Sequence, residues 1–244
     1  MKYFFRVEYD GTAYGGWQRQ DNAPSIQAEL ERAFSTVTRR ACSVTGAGRT
    51  DAGVHARAQG AHIDIAGGID TGQCEVSVNA VLPHDIAIYR LQSVDESFHA
   101  RFSAVSRRYR YYFCTRRQPL LYQRVWTVPY DIEWDMVEHE TAALRGTHDF
   151  TTFCATGSDV KNAECTVLEA MLARDGELYV FSIEANRFVY TMVRSLCGTL
   201  IDIGRGRLTD TMTDLISCKD RKRVGHTAPA CGLILDYVSY PGVL

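Results

Sequence analysis

The chain has 244 residues, of which 45% are hydrophobic and 23% are charged, and its formal net charge is -2. These are the values of an ordinary globular protein, and since no apolar run reaches the length of a transmembrane helix we expect no membrane-spanning segment. Nucleic-acid-binding domains are often strongly basic, so a nucleic-acid contact here has to depend on local clusters of positive charge.

The placement of cysteine and histidine bears on metal binding and on the cellular compartment. Eight cysteines are scattered without a C-x-x-C pair, and together with the seven histidines they form no cluster of recognisable ligand spacing. We therefore expect reduced, mostly buried thiols and no bound metal. Residues 1–5 are too short a run for a signal peptide, because Arg6 and Glu8 interrupt it, so a cytoplasmic location is expected.

The first half of the chain alternates strand and helix patterns. Residues 2–9 alternate as a strand that ends at a turn beginning with Asp10, and Ser25 is a suitable N-cap for a helix. Apolar residues of that helix recur at helical spacing, and they are Ile26, Leu30, Ala33, Phe34 and Val37. A short helix is predicted over residues 75–82, ending before Pro83. Further strands are predicted over residues 60–65, 86–93 and 105–114.

The second half of the chain repeats this grouping. Helices are predicted over residues 134–146, 187–203 and 209–219, and strands over residues 166–174, 177–184 and 233–240. Because strands outnumber helices, the expected fold class is α+β with a mixed, largely antiparallel sheet. A strand break at Pro119 suggests a boundary near residues 115–130. We therefore expect one α/β half over residues 1–115 and another over 130–244, integrated into a single unit.

The run from Gly46 to Ala56 holds one carboxylate, that of Asp51, among small residues. Its three glycines permit positive φ angles and the close approach of another molecule, which makes Asp51 the first candidate for catalysis. Glycine-rich phosphate loops are excluded on spacing. Asp51 stands where a dinucleotide site needs a third glycine, and Lys-Ser/Thr does not follow the last glycine. The alternative is a structural turn whose aspartate caps backbone amides.

Two neighbours of Asp51 extend this candidate site. Arg49 supplies a positive charge that would keep a partly buried aspartate ionised; its alternative roles are to bind a substrate phosphate or to brace the loop. His55 follows Asp51 by four residues and is a candidate general base. For His55 we favour a structural or substrate-contact role.

Arg194 is the only charged residue between Phe188 and Ile201, in a predicted helix that is otherwise apolar or small. Helical positions put the large apolar side chains on one face and Arg194 on the other, with Gly198 one turn along leaving space. An arginine in such surroundings usually pairs with a carboxylate, because an unpaired buried charge is costly. The alternative is an arginine at the edge of the protein whose guanidinium reaches solvent.

Tyr109 and Arg107 alternate on one face of the predicted strand 105–114, together with Tyr111 and Phe113. On periodicity alone, Tyr109 is a core or sheet-surface aromatic.

Positive charge clusters in this strand and at three other places, each of which is either a solvated face or a phosphate contact. The four clusters are Arg107, Arg108 and Arg110; Arg116 and Arg117; Arg205 and Arg207; and Lys219, Arg221, Lys222 and Arg223.

Several segments resemble motifs of the tRNA pseudouridine synthase A family. The Asp51 run resembles that family's GRTDAGVHA signature, and the other blocks occur in the family's order over about residues 7–235. These blocks are Val7-Glu8-Tyr9-Asp10-Gly11-Thr12; Gly16-Trp17-Gln18-Arg19-Gln20; residues 78–87; Phe98-His99-Ala100-Arg101-Phe102-Ser103-Ala104; residues 106–111; Phe188 with Met192-Val193-Arg194 and Gly198; and Thr227-Ala228-Pro229-Ala230 with Gly232-Leu233.

The resemblance implies an isomerase that converts uridine to pseudouridine in tRNA without a cofactor. It implies that Asp51 is the nucleophile, that Arg194 forms an ion pair with it, and that Tyr109 stacks on a uridine flipped out of the RNA. Three chemical routes stay open: attack on the sugar C1′, attack on the uracil C6, and a glycal intermediate. In this setting Arg49, His55 and Arg107 are candidate substrate-binding residues.

The resemblance also carries expectations about fold and partners. Two related α/β halves would lie side by side with their strands in one sheet and the active-site cleft across its middle. The substrate would be the anticodon stem-loop of tRNA, modified at uridines 38, 39 and 40 in tRNA numbering. The enzyme would be a homodimer.

Two other functions compete with this hypothesis. A nucleoside or glycoside hydrolase also uses a carboxylate near a glycosidic carbon, but it needs a second catalytic carboxylate, for which Glu8, Asp10 and Asp64 are the nominees. A non-catalytic RNA-binding module would use the basic clusters and the aromatic residues alone. The hydrolase would release free uracil, whereas the binding module would be inert.

Overall fold

The computed structural model describes residues 1–155 and 162–242. The chain forms two units, one made of Met1–Val105 and Ile234–Leu244 and the other of Ser106–Leu233. The strands, in chain order, are β1 Lys2–Tyr9, β2 Val44–Gly46, β3 His55–Asp64, β4 Ile86–Val94, β5 Ser106–Cys114, β6 Trp126–Thr127, β7 Gly146–Asp149, β8 Glu164–Asp175, β9 Leu178–Ala185 and β10 Leu233–Ser239. The helices are α1 Ile26–Thr38, α2 Thr71–Val81, α3 Trp134–Ala142, α4 Met192–Gly204 and α5 Met212–Cys218.

The strands of the first unit follow the order β4-β1-β3-β10, with β2 added to β3. β1 pairs antiparallel with both β3 and β4, whereas β10 pairs parallel with β3 through Ile234 and Leu235. This pairing explains why the last strand of the chain belongs with the first 105 residues.

Helix α1 covers one face of the first unit's sheet. The Ser25 side chain accepts a hydrogen bond from the amide of Ala28, which confirms the predicted N-cap. From the apolar stripe of α1, the Phe34 ring packs against Phe5 of β1 with ring centroids 5.0 Å apart. Helix α2 begins at Thr71, four residues before the predicted start, because Asp70 caps its first turn by accepting from the amide of Gln73.

The strands of the second unit follow the order β5-β9-β8-β7, all antiparallel, with β6 parallel to β5. Both units therefore combine helices with mixed, largely antiparallel strand pairing, which confirms the α+β class. Sequence patterns did not predict the short strands β2, β6 and β7, since two to four residues are too few to establish a period.

Helix α4 begins at Met192 rather than at the predicted residue 187. Thr191 has φ 61° and ψ 5°, a left-handed conformation that interrupts any helix upstream of it. Phe188 and Val189 continue the apolar pattern of α4, but they belong to the loop between β9 and α4. The prediction for residues 187–191 was wrong because periodicity cannot detect a backbone reversal.

All eight cysteines are free thiols, and four of them are buried: Cys74, Cys114, Cys165 and Cys197. Burial raises the pKa of the Cys165 thiol to about 11, so this group stays protonated and unreactive at neutral pH. Of the helices in the described part of the chain, none has the length and apolar character needed to cross a bilayer.

Candidate active site

Asp51 lies in the loop between β2 and β3 of the first unit, and its side chain is half-buried. The amide of Val54 donates to the carbonyl oxygen of Asp51 at 3.2 Å, which closes a turn directly after the aspartate. Gly53, inside that turn, has φ 77°, a conformation that favours glycine. The backbone around the carboxylate is thus fixed by local geometry.

The residues that follow β1 hold this loop from the other side. Trp17 donates its amide proton to the Thr50 carbonyl at 3.1 Å, and the Thr50 hydroxyl lies 2.8 Å from the phenol oxygen of Tyr9. A side chain at Gly16 would place its Cβ 2.5 Å from the Thr50 carbonyl oxygen. A Cβ at Gly11 would be 2.0 Å from the carbonyl oxygen of Val54. The motifs that begin at Val7 and at Gly16 therefore support the Asp51 loop.

The three glycines of the Asp51 run have different roles. Only Gly53 has a positive φ angle. Gly46 makes room for the indole of Trp17, since an added Cβ would lie 2.6 Å from that ring, and Gly48 faces open space. A side chain at Gly48 would therefore meet no neighbour, so packing does not require glycine there.

His55 is only 2% exposed, and its Nδ1 lies 3.1 Å from the Gly11 amide and 3.0 Å from Asp10 Oδ1. These contacts tie β3 to the turn after β1, which supports the structural role for His55. Arg49, in contrast, is exposed and forms no hydrogen bond or ion pair with any residue of the described ranges 1–155 and 162–242. Its guanidinium is therefore available to an anionic ligand.

Tyr109 and Arg107 lie on β5 in the second unit. The half-buried ring of Tyr109 meets the Phe188 ring edge to face, with centroids 5.0 Å apart and an interplanar angle of 86°. Arg107 donates from Nη1 to the carbonyl oxygen of Asn186 at 2.8 Å. Both residues thus contact the loop that leads from β9 into α4.

Arg194 lies in the first turn of α4, two residues after Met192, and is half-buried. Its Nε donates to the Ala228 carbonyl at 2.8 Å, and the Ala228 amide donates back to the Arg194 carbonyl at 3.0 Å. A Cβ at Gly198 would lie 1.7 Å from the carbonyl oxygen of His226. The space left by Gly198 is therefore filled by backbone, and the segment around Ala228 aligns the guanidinium.

Two residues that hold this segment were not predicted as part of the site. Tyr111 is fully buried and donates its phenol proton to the Pro229 carbonyl at 2.7 Å, and burial raises its pKa well above the usual value. Arg221 donates from Nη2 to the hydroxyls of Ser195 and Thr227 at 3.2 and 3.0 Å. Desolvation by burial lowers the pKa of Arg221. The sequence signals near these contacts were the Thr227 motif, the motif 106–111 that contains Tyr111, and the basic cluster that contains Arg221.

Ion pairing accounts for much of the clustered positive charge. Arg108 contacts the carboxylates of Glu184 and Glu169 at 2.7 and 2.8 Å, and Lys219 contacts that of Asp149 at 2.7 Å. Two further pairs join Arg116 to Glu177 and Arg223 to Asp210. Each of these four cations therefore has an acidic partner within the second unit.

The predicted site residues are thus divided between the units. Arg49 and Asp51 lie in the loop before β3 of the first unit and His55 begins β3, whereas Tyr109, Arg107 and Arg194 surround the β9–α4 loop of the second. No group of three histidine, cysteine or acidic side chains with metal-binding geometry occurs within residues 1–155 and 162–242. The chemistry available is that of a carboxylate, guanidinium groups and aromatic rings.

Comparison with known proteins gives a consistent family of relatives. A family model described as tRNA pseudouridine synthase matches residues 6–103 and 141–241. The chain is 41% identical to tRNA pseudouridine synthase A of Porphyromonas gingivalis over 249 residues, covering 100% of this chain and 98% of that protein. It is 41% identical to the protein of the same name from Maricaulis maris, covering 99% of this chain and 98% of the relative.

Among solved structures, a chain in the crystal structure of a Cbf5-Nop10-Gar1 complex is similar at 9% sequence identity, with a TM-score of 0.37. The match covers 81% of this chain and 53% of that chain. This likeness is too slight to carry a conclusion.

Proposed function

The chain belongs to the tRNA pseudouridine synthase family and isomerises uridine to pseudouridine in tRNA, and from this premise we propose which residues carry the reaction. The reaction breaks the N-glycosidic bond, turns the detached uracil, and joins its C5 to the sugar. No atom of the nucleotide is lost except the hydrogen at C5, which is exchanged. The site therefore needs a nucleophile and a surface that retains the free base.

We propose that Asp51 is the nucleophile. Its carboxylate projects from a loop whose backbone is held by Trp17, Gly53 and Val54, so the group is oriented before substrate arrives. Such preorganisation lowers the cost of reaching a reactive geometry. Its half-buried position also favours a reactive carboxylate, because partial removal of water strengthens its electrostatic interactions.

The guanidinium of Arg194 is the proposed ion-pair partner of Asp51 during the reaction. Support comes from its position as the only charged side chain between Phe188 and Ile201, and from the hydrogen bond that its Nε donates to the Ala228 carbonyl. This bond fixes the position of Nε, which in turn sets the direction in which the Nη atoms point. A positive charge of this kind keeps an aspartate ionised at neutral pH.

Tyr109 is the proposed stacking partner of the flipped uridine, and Arg107, Arg49 and His55 are proposed substrate-binding residues. The edge-to-face contact with Phe188 holds the Tyr109 ring in one orientation, which suits it to receive a flat base. Stacking of this kind contributes about 1–3 kcal/mol per base and offsets the cost of flipping. Of the three binding residues, exposed Arg49 is the best suited to a phosphate, and buried His55 is the least.

The substrate region is proposed to be the anticodon stem-loop, at uridines 38, 39 and 40. A homodimer and a cytoplasmic location complete the proposal. The family resemblance supports the homodimer, and a tRNA substrate supports the cytoplasmic location.

The decisive experiment uses unmodified tRNA transcript carrying tritium at uridine C5, because forming the C–C bond releases that label to water. Asp51→Asn is expected to lower release at least 1000-fold while the variant stays folded and binds tRNA. Asp64→Asn is the matched control, because Asp64 is an exposed carboxylate on β3 that the proposal leaves unused.

Three outcomes would contradict the proposal. Full activity of the Asp51→Asn variant would show that Asp51 is not the nucleophile. Release of free uracil, with activity lost in the Asp64 variant as well, would favour the hydrolase. A folded wild-type protein that binds tRNA without releasing label would favour the binding module.

A further inference from the structure

Phe102 is an aromatic side chain that the fold displays to solvent. It lies in the turn between β4 and β5, inside the motif Phe98-His99-Ala100-Arg101-Phe102-Ser103-Ala104, and is 76% exposed. The roles proposed above for the catalytic residues leave this motif without a function. A single exposed phenylalanine is common in a mobile loop and by itself indicates no function. A rigid turn that holds the ring in solvent is a reason to look for a ligand.

Hydrogen bonds within the turn fix its conformation. The amide of Ser103 donates to the His99 carbonyl at 2.8 Å, and the amide of His99 donates to the Ser103 hydroxyl at 3.0 Å. The amide of Arg101 donates to Nδ1 of His99 at 3.2 Å. With three bonds closing five residues, Phe102 is held outward by the backbone on both sides of it.

The core of the first unit anchors the same turn. The Ala100 amide donates to Nδ1 of His62 at 3.1 Å, and its carbonyl accepts from the phenol of Tyr240 at 2.7 Å. The Phe98 ring packs between Phe4 and Tyr240, at centroid distances of 5.5 and 5.4 Å. The turn that carries the exposed ring is therefore anchored to β1, to β3 and to Tyr240, which directly follows β10.

Three rings form a column that leads from the core to the surface. His62 is 5% exposed and its ring centroid lies 4.9 Å from that of His99. The His99 ring lies 4.4 Å from that of Phe102 at an interplanar angle of 34°, close to an offset stack. We call His62, His99 and Phe102 the aromatic column. Its inner end is buried and its outer end is open.

Positive charge lies beside the open end of the column. The Arg101 guanidinium carbon lies over the Phe102 ring, 5.7 Å from its centroid, which is within the range of a cation–π contact. An exposed flat ring suits the base of a nucleotide, which can stack on it, and a cation nearby adds to the positive potential that attracts a phosphate.

We infer that Phe102 is a stacking platform for an unpaired base of the tRNA substrate, in addition to the proposed stacking residue Tyr109. The inference rests on the proposed function, because it takes tRNA as the ligand. A base on Phe102 extends the aromatic column by one more ring.

The test measures the dissociation constant of unmodified tRNA transcript for the wild-type protein and four variants. Phe102→Ala is expected to weaken binding about fivefold to 150-fold, which corresponds to the loss of one stacked base. Phe102→Leu keeps apolar bulk without a π face and is expected to lose nearly as much, whereas Phe102→Trp is expected to retain binding. Tyr122→Ala is the matched control, because Tyr122 is 72% exposed and makes no ring contact within the described ranges.

Salt dependence separates stacking from a charge effect. The Phe102 ring is uncharged, so the loss in Phe102→Ala is expected to be the same factor at 50 and at 200 mM salt. For Phe102→Trp, tRNA is expected to quench the fluorescence of the added indole, measured as a difference from wild type.

Three results would overturn the inference: unchanged tRNA affinity in Phe102→Ala, an equal loss in Tyr122→Ala, or full retention of affinity in Phe102→Leu. A change of oligomeric state in Phe102→Ala would do the same, since it would assign the ring to an interface between copies of the chain. All of these readouts are independent of catalysis. Tritium release by the wild-type protein reports separately on the proposed function, so the two failures are distinguishable.

Discussion

Gly198 illustrates how much depends on a single missing side chain. A Cβ at this position would sit 1.7 Å from the His226 carbonyl oxygen and 3.3 Å from the Ala228 nitrogen. Ala228 in turn donates its amide proton to the Arg194 carbonyl oxygen and accepts a hydrogen bond from the Arg194 Nε. The identity of residue 198 therefore controls the geometry of a proposed catalytic group one helical turn away.

Gly198→Ala is expected to destabilise the protein by about 1–3 kcal/mol, because backbone rather than a flexible side chain has to move. Displacement of Ala228 is also expected to lower kcat for pseudouridine formation more than it raises KM. Urea unfolding and steady-state tritium release measure the two effects.

Gly72→Ala serves as the comparison for that substitution. A Cβ at Gly72, in the first turn of α2, would lie 3.6 Å from Asp70 Oδ1, an ordinary contact. Its stability is expected to stay within about 1 kcal/mol of wild type. If Gly198→Ala were as stable and as active as Gly72→Ala, the close packing of residues 226–228 on α4 would be contradicted.

At the scale of elements, the start of α4 is the least regular junction of the second unit. Thr191 has a left-handed backbone, unusual for a β-branched residue, and its hydroxyl is buried without a hydrogen-bond partner in the described ranges. It joins the loop containing Phe188 to the helix turn containing Arg194. Strain at this residue is thus the cost of presenting both side chains from one short segment.

Thr191→Asn is expected to raise the free energy of unfolding by about 0.5–1 kcal/mol, since asparagine tolerates the left-handed region better than a β-branched residue. The matched control is Thr36→Asn, the same exchange at an exposed position inside α1, which is expected to leave stability unchanged or slightly lower. Urea titrations compare the two. An equal effect at both positions would mean that no strain is relieved at residue 191.

At the scale of the whole molecule, the groups proposed for the reaction are supplied by both units, with the carboxylate in one and the guanidinium and stacking ring in the other. Activity is therefore expected to require both units folded, so the stability of the first unit bears directly on function.

The aromatic column provides a titratable group in the first unit. His62 has its pKa lowered to about 4, first by burial, then by the charges of His99 and Lys2, with Asp64 opposing.

The lowered pKa of His62 predicts how stability depends on pH. Between pH 4 and 6.5 the unfolded chain binds a proton at this residue that the folded chain does not, so the free energy of unfolding rises with pH. The contribution is complete above pH 6.5 and is lost as pH falls to about 4, up to about 3 kcal/mol. Protonation of Nδ1 also removes the acceptor for the Ala100 amide.

Thermal melts between pH 4 and pH 7 measure this dependence. His62→Gln is expected to flatten the curve in that range, whereas His84→Gln, at an exposed histidine, is expected to leave its slope unchanged. A slope that survives unaltered in His62→Gln would assign the pH dependence to other groups.

Local patterns predicted much of the fold. The apolar spacing of α1 and its Ser25 cap, the strand from residue 2 to 9 and the strand at the C-terminal end follow from side-chain periodicity and hydrogen-bonding chemistry, which act within a few residues. The start of α4 and the strands β2, β6 and β7 could not be predicted from periodicity. A left-handed residue does not alter the hydrophobic pattern, and strands of two to four residues are too short to show one.

The candidate site divides in the same way. Its members Asp51, Arg194 and Tyr109 were identified from motifs and from an isolated charge, and their catalytic roles stay predictions. The contacts that support them were not predicted: Trp17 on the Asp51 loop, and Tyr111 and Arg221 around the Thr227 motif. Each joins residues far apart in the chain, and composition or spacing says nothing about such pairs.

From the sequence alone came the α+β class, the family and the residue types available for chemistry, since these depend on periodicity and on motifs that each lie within about ten residues. Only the tertiary structure decided that β10 joins the first unit, that His55 is buried against the turn at Asp10, and that Phe102 is exposed on a rigid turn. The physical reason is that burial and exposure are properties of packing between distant segments. A buried histidine and an exposed phenylalanine reverse the usual preference of each residue type, and no local pattern encodes that reversal.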